Sequence, residues 1–195
     1  LVRSYMSYAT LPSTAQRLYR LAVEKQKPDA EREPGYQQRD LRRFRQSMQA
    51  ISRRYDETVD KAILSYLLGR YAQLPEQFRS RALDSFYQIG AQIDQGQVDQ
   101  IIQDSYAQSS LSDDSERLAW LDRSVEEFRR SDDPLIQYAV ASHEERMALE
   151  QASKELRGQF QRWRPQYMEA VIAYNRSLGQ PIYADANSSL RVTIG

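Results

Sequence analysis

The chain has 195 residues, enough for one large domain or most of one, and 41% of them are hydrophobic, enough to bury a core. Lysine plus arginine and aspartate plus glutamate both number 27, a balance that argues against a dedicated nucleic-acid binder, whose affinity rests on excess positive charge. The absence of cysteine excludes disulfides, thiol catalysis and thiolate metal sites, and no apolar run approaches the roughly 20 residues of a membrane-spanning helix.

Almost everything before Pro181 reads as helix. Leu1 to Thr10 is short and aromatic, the tail of a helix. Pro12-Ser13-Thr14 opens another, with Leu18, Leu21 and Ala22 on one face, and it ends before Pro28 because a residue preceding proline is pushed out of helical geometry. Lys27 to Gly35 holds both charge signs, two prolines and a glycine, and reads as a structured loop. Leu41, Phe44, Met48, Ile51 and Tyr55 then form one apolar stripe at spacings of three and four. Its other faces carry Arg39, Arg42, Arg43, Arg45, Arg53 and Arg54, a basic surface that reads first as a solvated helix face.

Asp56 caps the next helix, in which Val59, Ile63, Leu64, Tyr66 and Leu67 are expected to form a broad buried face. Pro75 suits the first turn of a further helix, with Phe78, Leu83 and Phe86 inward and Gly90 as its stop. Another helix runs from Asp94 through Val98, Ile101, Ile102 and Tyr106. Short helices are expected over 113–122, capped by Ser112, and over 125–130, capped by Ser124. Asp133-Pro134 is a strong helix start, a capping carboxylate and then a proline whose missing N–H does no harm there. No stop signal appears until Gly179 and Pro181. Leu149, Ala152, Leu156, Phe160, Trp163, Tyr167, Val171, Tyr174 and Leu178 keep a helical period throughout. A run of about 45 residues spans roughly 65–70 Å, with a kink expected at Pro165.

Autonomous chemistry is not visible in this pattern. His143 is the only histidine, and Ser142 beside it cannot face it on a helix, so the imidazole reads as exposed helix polarity rather than part of a triad. A dimetal carboxylate bundle needs two Glu-x-x-His pairs, which one histidine cannot supply. The adjacent acids Asp113/Asp114, Glu126/Glu127, Asp132/Asp133 and Glu144/Glu145 read as helix caps and solvated charge. Phosphate-cradling glycine loops are missing. No metal, cofactor or catalytic residue is expected within this chain.

The last segment, 181–195, breaks the helical pattern. Asp185, Asn187 and two serines are turn formers, and residues 189–194 alternate polar and apolar like a half-buried strand. A single strand leaves its backbone groups unsatisfied. The expected fold is therefore all-α: an irregular multi-helix bundle (1–180) with a long kinked C-terminal helix. It ends in one orphan β-strand (181–195), where the helical region re-enters a β-domain absent from the chain.

Tyr183 to Gly195, Y-A-D-A-N-S-S-L-R-V-T-I-G, resembles the Y-P-D-A-N-S-T-L-R-x-T-Y-G signature of the bacterial dipeptidyl-peptidase 7 and 11 family, with Ala184 in place of proline and Ile194 in place of tyrosine. Lys27 to Gln37, K-P-D-A-E-R-E-P-G-Y-Q, and Ser131-Asp-Asp-Pro134 match in the same order. The family comprises serine exopeptidases with a chymotrypsin-like double β-barrel and a large helical insertion. The resemblance implies that this chain is the insertion and that the triad serine, histidine and aspartate all lie outside it. The asparagine with which the family holds the substrate amine is expected upstream of Leu1, since Asn175 and Asn187 do not match its context. Asp185, Asn187 and Arg191 match the junction signature and are expected to fix how the helical lobe meets the barrel.

The resemblance thus implies a non-catalytic cap lobe over the cleft of an enzyme that releases N-terminal dipeptides. Its partners would be peptide substrates, reached through the parent enzyme, and the missing barrel of the same polypeptide, without nucleic acid or membrane. The resemblance also implies a periplasmic address and admits a homodimeric parent. The rival reading is a free-standing helical interaction module that uses the basic face of residues 39–54.

Overall fold

Local signals set most of the helix boundaries. The computed structural model describes residues 8–90 and 94–180, and among these the regular structure is helical. The helices are α1 (Thr10–Lys25), α2 (Leu41–Gln49), α3 (Glu57–Tyr71), α4 (Arg81–Tyr87), α5 (Gln95–Gln108), α6 (Asp114–Ala119), α7 (Val125–Arg129), α8 (Pro134–Ala141) and α9 (His143–Ser177). The expected terminal strand, residues 1–7 of the expected N-terminal helix tail and the junction residues Asp185, Asn187 and Arg191 lie outside the described residues, while Tyr8 and Ala9 of that tail are bends rather than helix. The chain divides into two units, Leu1–Met147 and Ala148–Gly195.

Side-chain caps act where the sequence places them. Asp56 accepts from the Val59 N–H at 2.9 Å, Asp94 from Gln97 at 3.1 Å, and Ser124 forms a reciprocal capping box with Glu127. Asp133 accepts from the Leu135 and Ile136 N–H groups, with Pro134 opening α8. Each cap satisfies an orphan donor of the first turn and contributes about 1 kcal/mol.

The core of the first unit is built on α1 packed against α8. Leu11, Ala15 and Leu18 meet a core that includes Leu135, Ile136 and Ala139, all fully buried. Tyr19, Phe128 and Trp120 add an aromatic cluster, with ring centroids 5.4 Å apart for Tyr19–Phe128 and 4.5 Å for Trp120–Phe128. The α3–α5 pair lies beside this hub, α4 bridges α5 and α8, and α2 rests on α6.

Several boundaries and faces differ from expectation, each for a tertiary reason. Helix α1 starts at Thr10 rather than at Pro12. Ala9 offers no cap, but the Asp60 carboxylate of α3 accepts from the Thr10 N–H at 2.5 Å and the Leu11 N–H at 3.1 Å. The same carboxylate turns α3. Its buried face is Asp60, Leu64, Leu67, Leu68 and Tyr71, so Val59, Ile63 and Tyr66 of the expected face are left exposed. Pro75 starts only a 3-10 turn (Glu76–Phe78), in which Phe78 is exposed. Helix α4 begins at Ser80, whose Oγ accepts from the Leu83 N–H, and it ends not at Gly90 but at Gln88, which is left-handed at φ 53° with Ile89 buried behind it. Asp113, not Ser112, caps α6. The stripe of 41–55 is continuous, but its last turn tightens to 3-10 over Ala50–Arg53.

The expected unbroken helix from Pro134 is two helices. Ser142 is buried, and its Oγ accepts from Gln16 Nε2 of α1 at 3.3 Å and donates to the Ala139 carbonyl at 3.5 Å. A serine bonding back to its own helix competes with the backbone ladder, and α8 ends there. Helix α9 then runs for 35 residues with Pro165 inside it, about 50 Å at the usual rise.

In the second unit, every residue of α9 from 151 to 170 is exposed.

Candidate functional site

The two sequence motifs that fall within the described residues prove to be folding devices. The segment 27–37 opens with Pro28 and a 3-10 turn (Asp29–Glu31). Asp29 Oδ1 accepts from the Gln38 N–H at 2.6 Å and from Arg32 Nη1 at 3.2 Å. Gly35 takes φ 93°, a conformation costly for any residue with a Cβ, and its N–H reaches Asp40 at 2.9 Å. From α1, Glu24 accepts from the Glu33 N–H at 3.0 Å and from the Lys27 ammonium at 2.9 Å. Burial works to raise the Glu24 carboxyl, but these donors outweigh it and hold the group below its usual range. The loop is thus a self-satisfied knot locked onto α1, as its mixed turn residues foretold. In the third motif, Asp133 caps α8 with one oxygen and with the other accepts from the Ser109 hydroxyl and the Ser110 N–H, tying the end of α5 to α8.

Several acids of the other pairs also hold structure. Asp114 pairs with Arg117 at 2.7 Å and accepts from Ser52. Arg117 is fully buried and donates to the carbonyls of Met48, Leu111 and Ser112, so a guanidinium in the core leaves its charge-assisted bonds filled. Asp113 caps α6, Glu126 pairs with Arg129, and Glu127 completes the capping box.

Glu145, near the start of α9, reaches α4. It accepts from the Ser80 hydroxyl at 2.8 Å and from the N–H groups of Arg81 and Ala82, closing the N-terminus of α4 from another helix. Beside this contact is an open groove lined by Arg79, Arg81, Phe86, Gln137, Ala141 and Glu144. Its lining mixes the apolar Phe86 and Ala141 with the charged Arg79, Arg81 and Glu144.

His143 is not the exposed helix residue expected. It is half-buried at the first position of α9, its ring edge against Tyr19 at 5.0 Å, and its Nδ1 is buried without a hydrogen-bond partner. Burial, then the charges of Arg146 and Arg20, push the imidazole below its ordinary value, against the pull of Glu24 and Glu144. Ser142 Oγ is committed to Gln16 and Ala139, so the two adjacent residues make no nucleophile–base pair.

The deepest ionisable pair, Asp60 and Tyr106, was missed in the sequence. Tyr106 donates its hydroxyl to Asp60 at 2.8 Å, and burial together with that carboxylate pushes the phenol far above its ordinary value, so it stays protonated as a donor. With two backbone N–H groups and one phenol on it, Asp60 is a cap and not a base. Only its position, one turn before Leu64 on an apolar face, could have signalled burial. Among the described residues no group of three or more His, Asp or Glu side chains is placed to hold a metal ion. No helix there is long and apolar enough to cross a membrane. Pro165 lies within α9, and Arg39, Arg42, Arg43, Arg53 and Arg54 are exposed, while Arg45 pairs with Asp122 at 3.2 Å.

Comparison with known proteins places this helical assembly. The chain is 40% identical over 187 residues to the Asp/Glu-specific dipeptidyl-peptidase of Shewanella putrefaciens (strain CN-32 / ATCC BAA-453). The matched region is 96% of this chain but 25% of that relative, so the chain spans about a quarter of the relative's length. The Peptidase S46 family matches across residues 1–195, and the chain belongs to that family.

Proposed function

We propose that this chain is the helical cap lobe of a larger serine-type dipeptidyl-peptidase, covering the active-site cleft and limiting substrates to peptides with free amino termini. The observation that carries the reading is a mismatch of extent. The family matches end to end, while the chain corresponds to a quarter of a dipeptidyl-peptidase. The engagement of Asp114, Asp133, Glu145, Ser142 and Asp60 in contacts between elements supports a mechanical role.

In this reading residues 181–195 re-enter the barrel, and Asp185, Asn187 and Arg191 fix the junction. Pro165 bends α9, and together these set the angle of the lobe. Closure of a lobe excludes water and long N-terminal extensions while the serine, histidine and aspartate elsewhere in the polypeptide do the chemistry. A periplasmic address belongs to the same proposal.

The test is dipeptide release by the full-length polypeptide, by the 195-residue chain alone and by a full-length variant lacking residues 1–180. Peptides with aspartate or glutamate second from the amino end come first, since the relative's name specifies them. Release by the full-length protein from free but not acetylated peptides, with none from the chain alone, is expected. Unchanged release after the deletion would defeat the lobe hypothesis. Silence of the full-length protein on all peptides would favour the rival, an interaction module that uses the exposed arginines of 39–54.

A further inference from the structure

Helix α9 carries an apolar stripe that the described residues leave exposed. Leu149, Leu156, Phe160, Trp163, Tyr167, Tyr174 and Leu178 are between 46% and 68% exposed. With Ala152 and Val171 they repeat every 11 residues: Leu149–Phe160–Val171, Ala152–Trp163–Tyr174 and Leu156–Tyr167–Leu178. Eleven residues in three turns give 3.67 per turn, close to the natural pitch, so the stripe stays almost straight and does not wind into a left-handed coiled coil. Its exposed area is on the order of 800 Å², about what each partner contributes to an ordinary stable interface. Helices of soluble proteins gain most of their stability by packing such a face, and contiguous apolar patches this large mark contact sites.

Charge narrows the occupant. Arg157, Arg162 and Arg164 fall around Phe160 and Trp163, with no acid between 157 and 167. That basic stretch lies near the midpoint of the stripe. Two copies of α9 paired along its whole length, parallel or antiparallel, would therefore set these arginines against themselves, which is unfavourable. A partner rimmed with carboxylates would not meet this repulsion.

We propose that the α9 stripe is the surface by which this lobe is held to the rest of its own polypeptide, through a straight apolar trough edged with aspartate or glutamate. This rests on the reading of the chain as part of a larger peptidase. It adds which face of which helix makes the contact, and the chemistry of the surface that receives it.

Hydroxyl-radical footprinting of the full-length polypeptide, read by peptide mass spectrometry, tests it. At concentrations where light scattering shows one copy, Trp163 and Tyr167 should react roughly tenfold slower than their intrinsic rates, as expected for residues in a desolvated interface core. The R157E/R162E/R164E variant should regain most of that reactivity, and the matching arginine-to-lysine variant should keep its protection, which separates charge repulsion from misfolding. Full reactivity of Trp163 and Tyr167 in the wild type overturns the proposal. So does protection that appears only at concentrations where dimers form, or only with anionic phosphatidylserine vesicles. Dipeptide release on the same sample keeps the two readings apart. Release with an unprotected stripe defeats this inference alone, and a protected stripe without release defeats the peptidase reading alone.

Discussion

Residues 8–147 and the exposed helix beyond them are written in the same pattern and meet opposite fates. In α1, α8 and α7 the apolar positions disappear into one core, with Leu11, Phe128 and Leu135 fully buried. In α9 an equally regular series, richer in aromatics, stays in solvent. Periodicity states that a face is to be covered, and it does not say by what. In the first unit the cover lies within the chain. In α9 the face is prepared for a surface that residues 8–180 do not supply.

The contrast can be broken by experiment, beginning with its core. Phe128→Ala removes a ring packed between Tyr19 and Trp120 and should cost about 3–5 kcal/mol in urea unfolding of the 195-residue chain. A loss under about 1 kcal/mol would mean that the first unit is not packed as described. Asp60→Ala should cost about 3 kcal/mol, because the Thr10 and Leu11 N–H groups and the Tyr106 hydroxyl lose their acceptor. Hydrogen exchange should show the first turn of α1 opening before the rest of it. Unchanged protection there would refute the cap.

A smaller effect is expected from His143, at the root of α9. Its folded-state value is depressed, so the fold favours the neutral ring. Its contribution to stability is whole above the ordinary histidine value of about 6.5 and is lost as pH falls below it toward the folded value. His143→Gln should remove that part of the decline between pH 7.5 and 5.5, and identical profiles for the two proteins would contradict the assignment. The smallest change belongs to the exposed helix. Phe160→Ala should alter the stability of the isolated chain by no more than about 0.5 kcal/mol. A loss comparable to that of Phe128→Ala would show that the stripe is already covered within the chain.

Legibility tracked the range of the interaction. Asp56, Ser124 and Asp133 were readable as caps, and Asp94 as a helix start, because each bonds a backbone N–H two or three residues away. The turn chemistry of 27–37 was readable for the same reason. Asp60 was not, since its partners at Thr10, Leu11 and Tyr106 lie 46 to 50 residues off, and neither was the break at Ser142, whose partner Gln16 is 126 residues away. Val59, Ile63 and Tyr66 were assigned to the wrong side for a connected reason. The apolar pattern of α3 is broad, and the face that turned inward is the one carrying Asp60 to the start of α1. The candidate site was legible mainly as resemblance, because the matched motifs within residues 8–180 are turns and caps with no reactive constellation of their own.

By itself the sequence determined the helical class, most of the caps, the 27–37 turn and the membership in a peptidase family carried by three short motifs. These depend on backbone propensity and contacts a few residues apart, which any local stretch encodes. Only the tertiary structure decided that Arg117 lies in the core, that Asp60 caps a distant helix, that Ser142 divides the long helix and that the stripe of α9 faces solvent. Each of those depends on what a distant part of the chain brings, or does not bring, to the same place.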